Sequence, residues 1–219
     1  RETPLDEARR LSLRIGNKVL LKREDTQPVF SFKLRGAFNK MVHLSAEERA
    51  RGVICASAGN HAQGVAYAAK RSGVPATIVM PTTTPLVKVN NTKDYGAKVI
   101  LQGETFDDAA DLAAQLSQEQ GLTYVHPFND LTLATGQGTI AYEIFQDLPD
   151  VDVILVPIGG GGLATGVSTL AKLLNPNVEV IGVEPTGAAS MKEENRQAFS
   201  GSREELIAQG YSPCGTCKP

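Results

Sequence analysis

Short apolar runs alternate with amphipathic stretches along most of this chain. Val19-Leu20-Leu21 and then residues 52–56, 76–80, 97–101, 123–125, 153–158 and 178–183 are brief and rich in β-branched side chains, which predicts strands. Between them, residues 33–44 place Phe38, Met41 and Val42 on one helical face. Residues 106–120 repeat Phe106, Ala109, Leu112, Ala113 and Leu116 at helical spacing. Further helices are predicted over 62–71, 88–95, 139–146 and 164–174. Strands that alternate with helices predict parallel sheets covered on both faces, an α/β class. Two successive βα runs, separated near Asp130, predict two three-layer α/β lobes. After Met191 the pattern stops: Lys192-Glu193-Glu194-Asn195-Arg196-Gln197 is charged and no strand follows, so 192–219 reads as a divergent tail.

Composition narrows the function classes. The 219 residues carry a formal net charge of −2, which gives no reason to expect nucleic acid or an anionic membrane as a partner. With no Trp and 5% aromatic residues, base-stacking platforms are not expected. No apolar run approaches a membrane span, and Arg1-Glu2-Thr3-Pro4-Leu5-Asp6 has no apolar region of a secretion signal. An organelle address removed earlier remains compatible with that start. The odd cysteine count (Cys55, Cys214, Cys217) suits a reducing compartment. Cys214-Gly215-Thr216-Cys217 spells a dithiol motif, but its chemistry wants a following helix and only Lys218-Pro219 follows, so it reads as tail. No second pair of ligands completes a zinc site, and no metal is expected.

Three segments carry candidate chemistry. Gly159-Gly160-Gly161-Gly162-Leu163-Ala164 follows a strand and opens a helix, where backbone N–H groups make an anion site. The same string satisfies the dinucleotide fingerprint, with Glu184 at a strand end 25 residues after Gly159, so a nicotinamide-dependent oxidoreductase is a second reading of the loop. Lys33 sits in Ser31-Phe32-Lys33-Leu34-Arg35-Gly36-Ala37. A lysine forms a Schiff base only when deprotonated, which wants apolar neighbours or a second cation; Phe30, Phe32, Leu34 and Phe38 are the first, Arg35 the second. A lysine at a helix start is otherwise an ordinary solvated residue. Ser57-Ala58-Gly59-Asn60-His61 leads from a strand into a helix, and its amides can receive a carboxylate. Equally, Ser57 or Asn60 can serve as a plain helix cap. His61 reads as structural, and His43 and His126 receive no role.

In this order the three motifs resemble those of the pyridoxal-phosphate-dependent threonine/serine dehydratases of fold type II, the threonine dehydratases above all. Val79-Met80-Pro81-Thr82-Thr83-Thr84-Pro85, His126-Pro127-Phe128 and Gly136-Gln137-Gly138-Thr139 also match, so the likeness covers approximately residues 3–191. Gln27-Pro28-Val29-Phe30-Ser31-Phe32 stands where the related sulfhydrylases carry Pro-Thr-Gly-Ser, which is similar to the dehydratase branch.

The resemblance implies a tryptophan synthase β-like fold. A large cofactor-binding lobe would comprise 1–41 and 133–191, and a small lobe 42–132. The large lobe is expected to be incomplete, since the family's serine or cysteine beside the pyridine nitrogen has no match here. Pyridoxal 5'-phosphate is the implied cofactor. Lys33 would carry it and serve as catalytic base, Asn60 would contact its ring hydroxyl, and Gly159, Gly160, Gly161, Gly162 and Leu163 would bind its phosphate. Ser57, Ala58, Gly59, Asn60 and Gln137 would bind substrate. The implied reaction is α,β-elimination of L-threonine to 2-oxobutanoate and ammonia, the first step of isoleucine biosynthesis. Serine dehydratase and serine racemase share the constellation, and a non-catalytic truncated paralogue is a further alternative. A homo-oligomer is implied for the full-length form, in the cytoplasm or, after removal of a transit peptide, an organelle stroma or matrix.

Overall fold

The computed structural model describes residues 1–185. Within them the chain runs β1 (Leu5–Glu7), α1 (Arg9–Ile15), β2 (Leu20–Lys22), α2 (Lys33–Val42), α3 (Ala46–Arg51), β3 (Val53–Ala56), α4 (Asn60–Ser72), β4 (Ala76–Met80), α5 (Leu86–Asp94), β5 (Lys98–Leu101), α6 (Phe106–Gln120), β6 (Thr123–Tyr124), α7 (Leu131–Asp147), β7 (Val153–Pro157), α8 (Gly162–Leu174) and β8 (Glu179–Val183). A 3-10 turn at Glu24–Thr26 precedes α2. The fold is α/β with parallel sheets, as the alternation predicts. Cys214, Cys217 and the 192–219 tail lie outside the described residues.

The chain divides into two compact units, Arg1–Gly136 and Gln137 onward. In the first, a four-stranded parallel sheet has the order β5-β4-β3-β6. Successive side chains of a strand point to opposite faces, and β3 uses both. Val53 and Cys55 join a core with Leu34, Ala37 and Met41 of α2 and Ala62, Val65 and Ala69 of α4. Ile54 and Ala56 join a second core with Ala109 and Ala113 of α6. All four β3 residues are fully buried, which is why this strand reads as an unbroken apolar run. Near the N-terminus, β1 and β2 form a separate antiparallel pair.

The second unit pairs β7 with β8 in parallel, from Val153 opposite Glu179 to Pro157 opposite Val183. Helix α8 connects them, with Ala164, Val167 and Ala171 buried. Ile154, Val156 and Val180 are buried, while Val153 and Leu155 on the alternate face are exposed.

Three differences from expectation have physical causes. Helix α7 starts at Leu131, not at 139, because Asp130 Oδ1 accepts from the Thr132 and Leu133 amides (2.8 and 3.2 Å) and caps it. Helix α3 was not expected, although Ser45 and Glu48 form a reciprocal capping box. Its six residues are too few for a hydrophobic period to show. Helix α1 was also missed, since it buries no residue at all. No helix among the described residues is long and apolar enough to cross a membrane.

Candidate active site

Lys33 opens α2, and the residues around it fix both ends of its side chain. Ser31, itself buried, accepts from the Lys33 amide through Oγ (3.3 Å). The side chain is partly buried, and Nζ donates to the Pro127 carbonyl at 2.6 Å. It stands 5.5 Å from the centroid of the Phe32 ring. Burial holds the amine below the ordinary lysine value, which favours the neutral form that a nucleophile or base needs.

Two parts of the expected neighbourhood are corrected. Arg35 does not act as the cation that depresses Lys33. It makes a two-pronged bond to Glu24, Nε to Oε2 at 2.8 Å and Nη2 to Oε1 at 2.7 Å, and desolvation is the cause of the Lys33 shift. Phe30 does not bury the amine either. It is 74% exposed, and its φ of 55° puts a bulky residue in the left-handed region. Phe32 supplies the apolar contact instead, while Leu34 lies in the core.

The Ser57 to Asn60 turn joins β3 to α4. Ser57 does not cap the helix; its Oγ accepts from the Gly59 amide (3.2 Å), tightening the turn. Gly59 is the N-cap residue and no side chain caps α4. Amides of the first helical turn have no intrahelical acceptor, and the helix dipole adds positive potential there. Ala58 and Gly59 are partly exposed and Asn60 is exposed, so the turn can receive a carboxylate from solvent. The next residue, His61, is buried.

The segment after β6 is held as tightly. His126 Nδ1 accepts from the Phe128 and Asn129 amides (3.3 and 2.9 Å), giving it a turn-closing role that the sequence did not reveal. Pro127 contributes through its main-chain oxygen, which no side-chain pattern could have marked. Lys40 pairs with Asp130 at 2.8 Å and Asn39 Nδ2 donates to the Thr132 carbonyl at 2.6 Å, tying α2 to the start of α7.

In the second unit, Gly159 and Gly160 are exposed and Gly161, Gly162 and Leu163 partly so. Gly161 is the N-cap of α8 with φ 86°, and no side chain caps that helix. A β-carbon on Gly159 or Gly161 would meet no atom within 4 Å, leaving open space before the helix N-terminus. Such a terminus, unobstructed and uncapped, suits a phosphate. Gln137 lies in α7 and is buried.

Comparison with known proteins shows the family of the chain. Residues 1–212 match the family model described as pyridoxal-phosphate dependent enzyme. The chain belongs to this family. An L-threonine ammonia-lyase of Thermotoga maritima is 55% identical over 176 residues, 80% of this chain and 44% of that protein. A biosynthetic L-threonine dehydratase of Burkholderia multivorans is 52% identical over 98% of this chain and 43% of its own length. Among solved structures, the processed form of threonine deaminase isoform 2 from Solanum lycopersicum superposes with a TM-score of 0.85 at 53% identity, covering 87% of this chain and 53% of that one. Maize serine racemase gives 0.83 at 38% identity, over 86% of this chain and 57% of that one. The chain thus spans less than half the length of the curated relatives named here.

Family membership removes the ground for the dinucleotide reading of the glycine loop. The residues present also fit pyridoxal phosphate. They include a lysine amine kept short of its ordinary basicity, an uncapped helix start beside Asn60, and a glycine turn open before α8.

Proposed function

We propose that this chain is all or part of an L-threonine ammonia-lyase, which eliminates the β-hydroxyl of L-threonine and releases 2-oxobutanoate and ammonia. The observation that carries the reading is Lys33: a desolvated amine at a helix start, in the position that the family resemblance assigns to the cofactor-bearing lysine. Relatives at 49 to 55% identity are named for threonine, whereas the serine racemase from maize is 38% identical.

Lys33 would hold the cofactor through Nζ, Asn60 would hydrogen-bond its ring hydroxyl, and Gly159, Gly160, Gly161, Gly162 and Leu163 would hold its phosphate. Bound pyridoxal phosphate supplies an electron sink for the charge that develops at the substrate Cα. The turn amides of Ser57, Ala58, Gly59 and Asn60, with Gln137, would orient the substrate carboxylate. Lys33 Nζ would take the Cα proton, a role that suits an amine whose burial favours its neutral form. Once the β-hydroxyl has left, the released enamine takes up water and yields the keto acid and ammonia.

The lobe assignment, 1–41 with 133–191 against 42–132, belongs to the same proposal and is supported by the fold-type-II resemblance. So does a homo-oligomeric full-length form. Of the cytoplasmic and organellar settings, the organellar one is supported by a tomato relative, 54% identical, whose name places it in the chloroplast.

Borohydride reduction in the presence of pyridoxal phosphate, followed by peptide mass mapping, tests the reading. The expected result is a phosphopyridoxyl adduct on Lys33, with turnover of L-threonine exceeding that of L-serine. Labelling spread over surface lysines would overturn it. An adduct on Lys33 without turnover would mark a cofactor-binding paralogue.

A further inference from the structure

The buried histidine next to Asn60 has a geometry that a plain core residue does not need. His61 is 4% exposed, and one ring nitrogen, Nε2, lies 2.9 Å from the Val125 carbonyl oxygen. A carbonyl can only accept, so Nε2 carries the proton and Nδ1 the lone pair. Nδ1 is buried and has no hydrogen-bond partner among the described residues. Val125 is held from its other side as well, its amide donating to the Ile54 carbonyl of β3 (2.8 Å). Two residues on, the Pro127 carbonyl accepts from Lys33 Nζ at 2.6 Å. Between them, His126 closes the turn through Nδ1. A short chain of bonds therefore runs from the first turn of α4, through the segment after β6, to the lysine amine.

We infer that His61 is a positioning residue for Lys33: its Nε2–H fixes the Val125 carbonyl and thereby the turn whose Pro127 carbonyl anchors the lysine amine. This rests on the reading of Lys33 as the reactive amine. The His61 ring offers its Nε2–H to the Val125 carbonyl whether neutral or protonated. The charged groups that act on it are Lys33 and His126, which oppose its protonation, and Asp130, which favours it. Burial is the largest cause and outweighs the Val125 carbonyl and Asp130, which favour protonation, so His61 is pushed down to about 4 and its ring stays neutral across the neutral range.

Two substitutions separate the hydrogen bond from packing. In His61→Gln the side-chain amide reaches about as far as Nε2 and can donate to Val125; in His61→Asn it falls short. The measurement is the pH dependence of Lys33 labelling by pyridoxal phosphate and borohydride, read by peptide mapping, with folding checked by circular dichroism. Loss of the anchor lets the amine move toward solvent and back to ordinary lysine basicity. His61→Asn should then shift the labelling midpoint upward and slow the reaction at a fixed pH below it. His61→Gln should restore the wild-type midpoint. A folded His61→Asn protein with an unchanged midpoint overturns the inference and leaves the reading of Lys33 intact. An unsubstituted chain that does not label at Lys33 overturns that reading, and this inference with it. If His61→Asn does not fold, the ring 15N shifts of the unsubstituted protein decide. The Nε2–H tautomer supports the inference, and the Nδ1–H tautomer, which leaves no proton for the Val125 oxygen, overturns it.

Discussion

Gly64 lies directly against the backbone of Lys33. A β-carbon on Gly64 would come within 3.2 Å of the Lys33 carbonyl carbon and 3.3 Å of the Leu34 nitrogen. Helix α4 thus braces the first turn of α2 at the residue proposed to hold the cofactor. His61 and Gly64 are three residues apart and so share a face of α4. One helix face therefore fixes the lysine backbone by contact and its side chain by way of Val125 and Pro127.

Gly64→Ala tests the brace. Alanine favours a helix interior by about 1 kcal/mol over glycine, but overpacking against rigid backbone costs about 1–3 kcal/mol. The expected net effect in urea unfolding is a loss of about 1 kcal/mol, together with slower Lys33 labelling. Gly136→Ala should cost more, because its β-carbon would meet Gly36 Cα at 2.6 Å and the Arg35 carbonyl at 2.8 Å. If both variants were as stable as the parent, neither contact would constrain the helices.

Arg35 and Glu24 form a nearly buried pair, their side chains 8% and 14% exposed. Thr3 joins them, donating to Glu24 Oε1 at 2.6 Å and accepting from Arg35 Nη2 at 3.2 Å. Removing one partner leaves a charge without its counter-ion, at a cost of about 3–5 kcal/mol. Arg35→Ala should therefore lower the urea midpoint sharply. Arg35→Ala combined with Glu24→Ala should lose clearly less than the two single losses together. Additive losses would show that the pair contributes only through separate packing.

His61 should make stability depend on acid. Its folded value is about 4 against an ordinary 6.5. Between these, the unfolded chain binds a proton that the folded chain refuses. The sign follows: the stabilisation is full above pH 6.5 and is lost as pH falls through the folded value, amounting to about 3 kcal/mol. Chemical unfolding at pH 7 and at pH 4.5 should show most of this loss in the parent, and much less of it in His61→Gln. Parallel losses in both proteins would assign the acid sensitivity to carboxylates.

The sheet and most helices were legible because a buried strand or an amphipathic helix leaves a period in its residues; α6 and β4 have the predicted bounds. The early start of α7 was hidden for a tertiary reason. Gly136, which lies before the expected start at 139, is the residue that lets α7 approach α2. Lys33, Asn60 and the glycine loop were legible as motifs, but not what holds them. The anchor of Lys33 is a backbone carbonyl 94 positions away in sequence, and Arg35 is occupied by Glu24 instead of acting on Lys33.

The glycine loop separates conformational from ligand-directed roles. Gly161 has φ 86°, where a side chain is strained by about 1–2 kcal/mol even though its β-carbon meets nothing within 4 Å. Gly161→Ala should therefore lose about that much stability and also bind pyridoxal phosphate more weakly, because the loop amides turn. Gly159 has no such backbone constraint, and its β-carbon too would enter open space. If that space is where the phosphate sits, Gly159→Ala should leave unfolding within about 0.5 kcal/mol of the parent while weakening cofactor binding at least roughly tenfold, since a methyl group then occupies the place of a phosphate oxygen. Equilibrium titration followed by absorbance, beside urea unfolding of the same samples, gives both quantities. Unchanged binding in Gly159→Ala would move the phosphate away from this loop.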